Sequence, residues 1–348
     1  MSQFSPTPRS SPPRCNADQS LALVRGSGDR DDGNFGPFPA GWPVLPRHAP
    51  RLSRPDLAAI TCYFNPCGCE ALKRNYQRFA ANLRTQQVPL YSIELAFDNQ
   101  PFFLAANQTT IQTRGGDLLW QKERLLNLLL ERVPRHFIKI AWLDADVCFR
   151  NPSWLGDASR ALDQFPLIQL FEQAALLSPD GHVDELRNGV AFSVAHQLSH
   201  AKHFGIAHPG FAWAARRDLL RDHGLLDHHI GGGADSLMVL AAYGWWDHPY
   251  LQVYNRAMRD AWLVWAKPFH RDVKGLVGYI PGVVAHLWHG SRANRRYNER
   301  VQCLARHDFD PCTDLELDAR GLWRWSSLKP GLHEEIKQYF FERREDQS

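Results

Sequence analysis

Two aspartates one residue apart, Asp144 and Asp146, follow the apolar run Ile140-Ala141-Trp142-Leu143, and apolar residues resume at Val147 and Phe149. On an extended chain, residues i and i+2 point to the same side. Two carboxylates so placed repel unless a cation or a shared proton lies between them. A divalent ion, Mn²⁺ or Mg²⁺, relieves that repulsion and keeps open positions for phosphate oxygens. A solvated strand end is the plainer reading, but it accounts for one acid better than for two beside apolar surface.

Other residues of the same chemical kind are spread along the chain. Asp235 is the sole acid of the glycine turn "GGGADSLM". It is placed either to cap the helix that follows or to take a proton from a hydroxyl as a general base. In "HLWHG", His286 and His289 end an apolar stretch, and neutral imidazole suits Mn²⁺ as well as oxygen ligands do. Most histidines in a chain with 16 of them serve packing or surface, which is the plainer reading of both. Arg292, Arg296 and Arg300, with Arg295 beside them, share one face at helical spacing. That face is either solvated or a clamp for phosphate.

Elements must bring these residues together. "LAAITCYFNP" reads as a strand, "CEALKRNYQRFAANLR" as a helix with Leu72, Tyr76, Phe79 and Leu83 on one side, and "PLYSIELAF" as a second strand closed by Asp98. "LLWQKERLLNLLLERV" is amphipathic through Leu118, Leu125, Leu128 and Leu129, and the "IKIAWLDADV" strand follows. "FPLIQLF" adds another strand. Such alternation predicts an α/β fold with parallel strands, whose ligands gather at the strands' carboxyl ends. Asp98, Asp144 and Asp146 all stand at such ends. From about residue 180 the chain is less regular and rich in His, Gly and Trp. Most of its aromatics are read as core, a few as stacking surfaces for sugars or bases.

Composition sets the bounds. Residues 1–55 hold ten of the 23 prolines and show no hydrophobic period, which predicts a disordered arm before a single domain over 56–340. Within that domain the regular alternation covers 56–175, and 176–340 is the less regular part. A net charge of +3 neither requires nor excludes nucleic acid. Seven cysteines without a CxxC pair form no disulfide framework, and no apolar run reaches the roughly 20 residues that span a bilayer. A reduced, cytoplasmic protein is the expectation.

In order and spacing, "ITCYFNP", "ELAFD", "WQKERLLN" and "LDADV" resemble the nucleotide-sugar-dependent glycosyltransferases of the GT-A fold. That resemblance implies a mixed, Rossmann-like sheet flanked by helices, with 56–175 binding the nucleotide sugar and 176–340 the acceptor, and a UDP-sugar as the first donor to consider. It implies that Asp98 binds base or ribose, that Lys122 lies near the phosphates, and that Asp144 and Asp146 bind ribose and metal. A helix lysine paired with Glu123 is the plainer view of Lys122. "HPGFAWAARRDLLRDHGLLDHHIGGGADSLM" is similar to the segment in which many such enzymes carry a GGEDxD-like turn. The acidic doublet is reduced here to Asp235, which is then the candidate base. A histidine near the C-terminal end completes the metal shell in many relatives, a place held here by His289 or His286. Arg296 stands as a candidate for the diphosphate.

Other readings remain open. "IAWLDADV" also satisfies the hhhhDxDxT/V string of haloacid-dehalogenase-type phosphatases, with Asp144 as nucleophile and Asp146 as general acid. Against that, a full βαβα unit precedes the pair, and a later acidic doublet is missing. A non-catalytic nucleotide-sugar-binding protein is the third possibility. The expected acceptor is a saccharide or small-molecule hydroxyl, or a 5-hydroxymethylpyrimidine in DNA. The last rests on the basic face and on a looser resemblance to glycosyltransferases associated with base-modifying dioxygenases in phages and bacteria. Such an enzyme must track phosphates and turn the base out of the stack.

Overall fold

A computed structural model describes residues 55–296 and 299–347. The expected arm at residues 1–55 lies outside the described residues except for Pro55. The first half runs β1 (Leu57–Phe64), α1 (Glu70–Thr85), β2 (Leu90–Ala96), β3 (Thr110–Arg114), α2 (Lys122–Leu130), β4 (Lys139–Leu143), β5 (Val147–Phe149), α3 (Trp154–Gln164) and β6 (Leu167–Gln169). It continues through β7 (Gln173–Leu177), β8 (Val183–Asn188), α4 (Val190–Ala195), β9 (Ala212–Arg216), α5 (Arg217–His223), α6 (Ala234–Tyr243) and α7 (Arg256–Val273). The remaining elements are β10 (Val277–Tyr279), β11 (Val283–His286), α8 (Glu299–Arg306), β12 (Leu315–Leu317), β13 (Trp323–Trp325) and α9 (Pro330–Glu342).

Seven strands form the central sheet in the order β10-β6-β9-β4-β1-β2-β3. Strands β1 to β4 are parallel to their neighbours among themselves, whereas β9 runs antiparallel between β4 and β6. The sheet is therefore mixed and flanked by helices. The strict parallel pattern suggested by strand–helix alternation ends where β9 enters. Because β9 and β10 come from late in the chain, residues 56–175 and 176–340 share one sheet and do not form two separate bodies.

Alternation along the central strands explains the two cores. On β1, Leu57 and Ala59 face the layer of Tyr76, Phe79 and Leu83 from α1 and Trp154 and Leu162 from α3. Ala58 and Ile60 face the other way, onto Leu125 and Leu129 of α2 and the apolar side of α6 and α7. With both faces covered, β1 and β4 read as continuous apolar runs.

A smaller sheet, β5-β11-β7-β8, brings distant motifs together. Its register sets His286 opposite Val147, one residue after Asp146, and the Leu287 amide donates to the Asp146 carbonyl at 2.8 Å. The C-terminal tail is pinned as well. Asp346 accepts from the Glu70 and Ala71 amides at 2.9 and 2.6 Å, filling the N-terminal turn of α1 with a carboxylate. Folded structure thus continues past residue 340, to the buried Arg343 and Glu345.

Candidate active site

In the order β3-β2-β1-β4 the sheet reverses direction of growth between β1 and β4, where open α/β sheets form a crevice outside the strand ends. A cavity of about 1580 Å³ opens there. Its lining includes Phe64 and Asn65 at the end of β1, Asp144 and Asp146 after β4, and Lys122 at the start of α2. Asp235, His286 and His289 line it from the later half.

The two motif aspartates divide. The chain leaves β4 after Leu143 and turns at Ala145 and Asp146, so the pair does not lie on an extended strand. Asp144 faces Lys122, whose Nζ is 2.6 Å from its Oδ1 and 3.1 Å from Oδ2 of Asp235. Burial alone lowers the Lys122 pKa; the charges of Asp144, Asp235 and Glu123 outweigh it and raise the value well above that of a free lysine. Burial pushes Asp144 up to about 6, with Asp235 and Asp146 adding to the rise and Lys122 opposing it. Burial likewise lifts Glu123 to about 8. Lys122 is thus a buried cation shared by carboxylates and not an exposed helix lysine.

Asp235 is not the helix cap. Gly233, with φ +91°, holds that position, and Asp235 lies in the first turn of α6, where the helix dipole favours a carboxylate. Its Oδ2 would lie 3.2 Å from a Cβ at Gly210, so a side chain there would crowd the carboxylate.

Asp146 faces the histidines. Its Oδ2 is 2.8 Å from Nε2 of His289 and 3.7 Å from Nε2 of His286. Desolvation opposes ionisation of Asp146, but the surrounding imidazoles and the Arg295 guanidinium outweigh it and hold its carboxyl below the usual carboxylate range. Burial pushes His286 well below an ordinary histidine, so its imidazole is neutral and able to ligate. His286 stacks on Phe211 at 4.5 Å between ring centroids, and Phe211 stacks on His208 at 3.7 Å. Burial lowers His208 to about 3.

Glu345 lies behind His289, with Oε1 3.0 Å from Nδ1. Burial works against its ionisation, but Arg343 and His289 prevail and hold Glu345 at about 2. In the ring tautomer with its proton on Nδ1, the carboxylate accepts that proton and Nε2 keeps its lone pair on the Asp146 side. Asp146 Oδ2 and this Nε2, 2.8 Å apart, are close enough for one cation to bind both. Oδ1 of Asp146 is also buried without a hydrogen-bond partner. Asp146, His286 and His289 offer one ligand atom each, all within 4.8 Å of one another, and this donor set fits a divalent transition ion. Asp144 is not in that cluster.

Two expected donor contacts are not brought into the cavity. Asp98 has φ +45°, an exposed side chain, and a carbonyl that accepts from Arg114. An unforeseen strand, β3, pairs outside β2 and carries the chain away from the β1/β4 crevice. Arg296 is exposed and ion-paired with Glu299 and Glu342. Nor do Arg292, Arg296 and Arg300 share a helical face. Arg292–Arg295 form a 3₁₀ turn, Arg296 adopts φ +42°, and Arg292 pairs with Asp184 and Glu185. Arg292, Arg295 and Arg300 line the cavity, and Arg296 does not.

Sequence reasoning missed Glu123, His208, Arg343 and Glu345. Glu345 sits in "FERREDQS", a charged tail with no periodicity, and only its packing reveals it. His208 opens the segment "HPGFAWAARRDLL", and nothing in its spacing sets it apart from the other histidines.

No protein-family model and no curated protein matches this chain. Solved structures similar to it include mannosyl-3-phosphoglycerate synthase from Rubrobacter xylanophilus, 13% identical, covering 78% of this chain and 85% of that one with a TM-score of 0.38. A Drosophila β-1,4-galactosyltransferase 7 mutant, in complex with manganese, UDP-Gal and xylobiose, is 14% identical over 69% of this chain and 73% of its own, with a TM-score of 0.36. Glucosyl-3-phosphoglycerate synthase from Mycobacterium tuberculosis, in complex with Mn²⁺, UDP-glucose and phosphoglyceric acid, is 11% identical over 77% and 85%, with a TM-score of 0.32. These likenesses are distant. Among the described residues no helix is long and apolar enough to cross a membrane.

Proposed function

We propose that this chain is a metal-dependent glycosyltransferase that moves a sugar from a nucleoside-diphosphate sugar, a UDP-sugar first among candidates, to an acceptor hydroxyl. The observation that carries the reading is the pair of facing acceptors, Asp146 Oδ2 and His289 Nε2, beside the orphaned Asp146 Oδ1. They sit in a crevice where Lys122, Asp144 and Asp235 form a second charged set. The motif resemblance to GT-A enzymes points the same way.

Asp146, His286 and His289 would hold the ion, and Glu345 would orient His289. Two imidazoles in the donor set favour Mn²⁺ over Mg²⁺. When bound, the ion neutralises charge on the leaving diphosphate. Lys122 holds Asp144 in place and adds a positive charge beside it, next to the ribose and phosphates of the donor. Asp235 takes the proton of the attacking hydroxyl, in keeping with its place on the cavity wall at the start of α6. The imidazole-rich shell favours this reading over the phosphatase, whose magnesium site is built from carboxylates.

The acceptor we propose is a saccharide or a small polyhydroxyl molecule. The lining beyond the charged sets carries Arg187, Lys202, His203, His248 and Tyr250, with Phe204 stacked on His248 at 5.0 Å. These residues supply hydrogen bonds and an aromatic face to a hydroxylated ring. The DNA acceptor loses its main support, because the basic helical face that was to track phosphates does not form.

Calorimetry tests the assignment. UDP is expected to bind in the presence of Mn²⁺ and to lose that metal dependence in Asp146→Ala. Equal binding of UDP and Mn²⁺ by both proteins would remove Asp146 from the site.

A further inference from the structure

The Nε2 of His289 has a second neighbour. Nη2 of Arg295 lies 2.8 Å from it, a donor directed at the same nitrogen that faces Asp146. With its Nδ1 proton held by Glu345, a neutral imidazole has a single in-plane lone pair, at Nε2. That lone pair accepts from Arg295 or coordinates an ion, and it does not do both. Arg295 also lines the cavity and adds positive charge beside Asp146, as a bound cation does.

We infer that Arg295 is a positioning residue that shares His289 Nε2 with the metal in alternation. It closes the site when no ion is bound, and it moves onto the donor's diphosphate once the ion takes its place. The guanidinium is suited to this exchange, since it pairs bidentately with phosphate oxygens and keeps its charge throughout. It sits at the end of the short 3₁₀ turn Arg292–Arg295, where Tyr339 holds its carbonyl at 3.2 Å, and its long side chain is re-aimed by rotation about its own bonds. Metal and nucleotide would then be coupled through one side chain. The ion displaces Arg295, the diphosphate receives it, and each ligand tightens the other by the same factor. Arg295 thereby takes the phosphate role that the sequence suggested for Arg296. This inference rests on the proposed metal-nucleotide site and deepens it.

The experiment titrates Mn²⁺ into the full chain, following free ion by electron paramagnetic resonance, with and without UDP. In the native protein UDP should tighten Mn²⁺ binding by roughly 5–150-fold, the usual span of such coupling. In Arg295→Gln, Mn²⁺ without nucleotide should bind more tightly than to the native protein, because its competitor is gone. The gain from adding UDP should shrink at the same time. Arg296→Gln, next along the chain but outside the cavity and paired with Glu299 and Glu342, should leave both values unchanged. Should Arg295→Gln fail to fold, ¹⁵N NMR of the native guanidinium groups reads the same event, since diamagnetic Zn²⁺ added without nucleotide should shift the Arg295 resonance. Nucleotide-free Mn²⁺ affinity that is equal or weaker in Arg295→Gln, or an unmoved Arg295 resonance, overturns the exchange while the metal site stands. Absence of Mn²⁺ binding to either protein overturns the metal reading and this inference with it.

Discussion

Oδ2 of Asp146 lies 2.8 Å from Nε2 of His289, and the β5–β11 register is what makes residues so far apart in sequence meet. Glu345 completes the arrangement from behind, 3.0 Å from Nδ1. A carboxylate that orients a ligating histidine is worth about 10–100-fold in metal affinity. Glu345→Gln is therefore expected to weaken Mn²⁺ binding by roughly that factor, read by calorimetry, without moving the UV spectrum of the fold. Unchanged affinity would reduce Glu345 to a tail anchor.

Lys122 is the cation on which Asp144 and Asp235 depend. Lys122→Met removes its charge at similar volume and leaves both carboxylates uncompensated. Breaking a fully buried pair costs about 3–5 kcal/mol. With the two aspartate side chains 26% and 21% exposed, water recovers part of this, and about 2–3 kcal/mol is expected. Thermal unfolding checks it. A melting temperature equal to the native one would show that the lysine matters to ligand alone.

Asp235→Asn separates chemistry from structure. The amide keeps the shape of the side chain, and Gly233 rather than Asp235 occupies the cap position. Turnover should fall by about 10²–10⁴-fold, the worth of a general base, while UDP and Mn²⁺ affinities hold within a few-fold. Undiminished turnover would take Asp235 out of the mechanism.

Glu123 gives the account a pH signature. Burial raises its pKa from 4.5 to about 8 in the folded chain. Between these values the unfolded chain has lost the proton and the folded chain keeps it, so stability falls as pH rises. The contribution is fully present below the unfolded pKa and lost on rising through the folded one. One such proton changes stability by at most about 1.4 kcal/mol per pH unit. Glu123→Gln should flatten the decline in urea-unfolding free energy between pH 5 and 8, windows set by that shift. An identical slope in both proteins would show that other groups carry it.

The elements near the site were readable because their signals are local. Periodicity alone placed α1, with Tyr76, Phe79 and Leu83 buried as expected, and α2, with Leu125 and Leu129 in the core. The strand before Asp144 followed from its apolar run. What could not be read depends on contacts between distant segments. The short strand "TIQTR" has no apolar alternation to announce it, and it is β3 that carries the chain after Asp98 away from the crevice. Helical spacing for Arg292, Arg296 and Arg300 assumed an unbroken helix, which the left-handed Arg296 interrupts. The division of Asp144 from Asp146 depends on where Lys122 and His289 lie, and spacing of two letters carries neither.

The most direct test of a glycosyltransferase is release of nucleoside diphosphate from a panel of nucleotide sugars, with and without Mn²⁺, using the native chain and Asp146→Ala. Release is expected from at least one donor, UDP-sugars foremost, that requires Mn²⁺, rises with a saccharide acceptor and vanishes in Asp146→Ala. Release that ignores both Mn²⁺ and Asp146, or none from any donor while phosphomonoesters are hydrolysed, would contradict it.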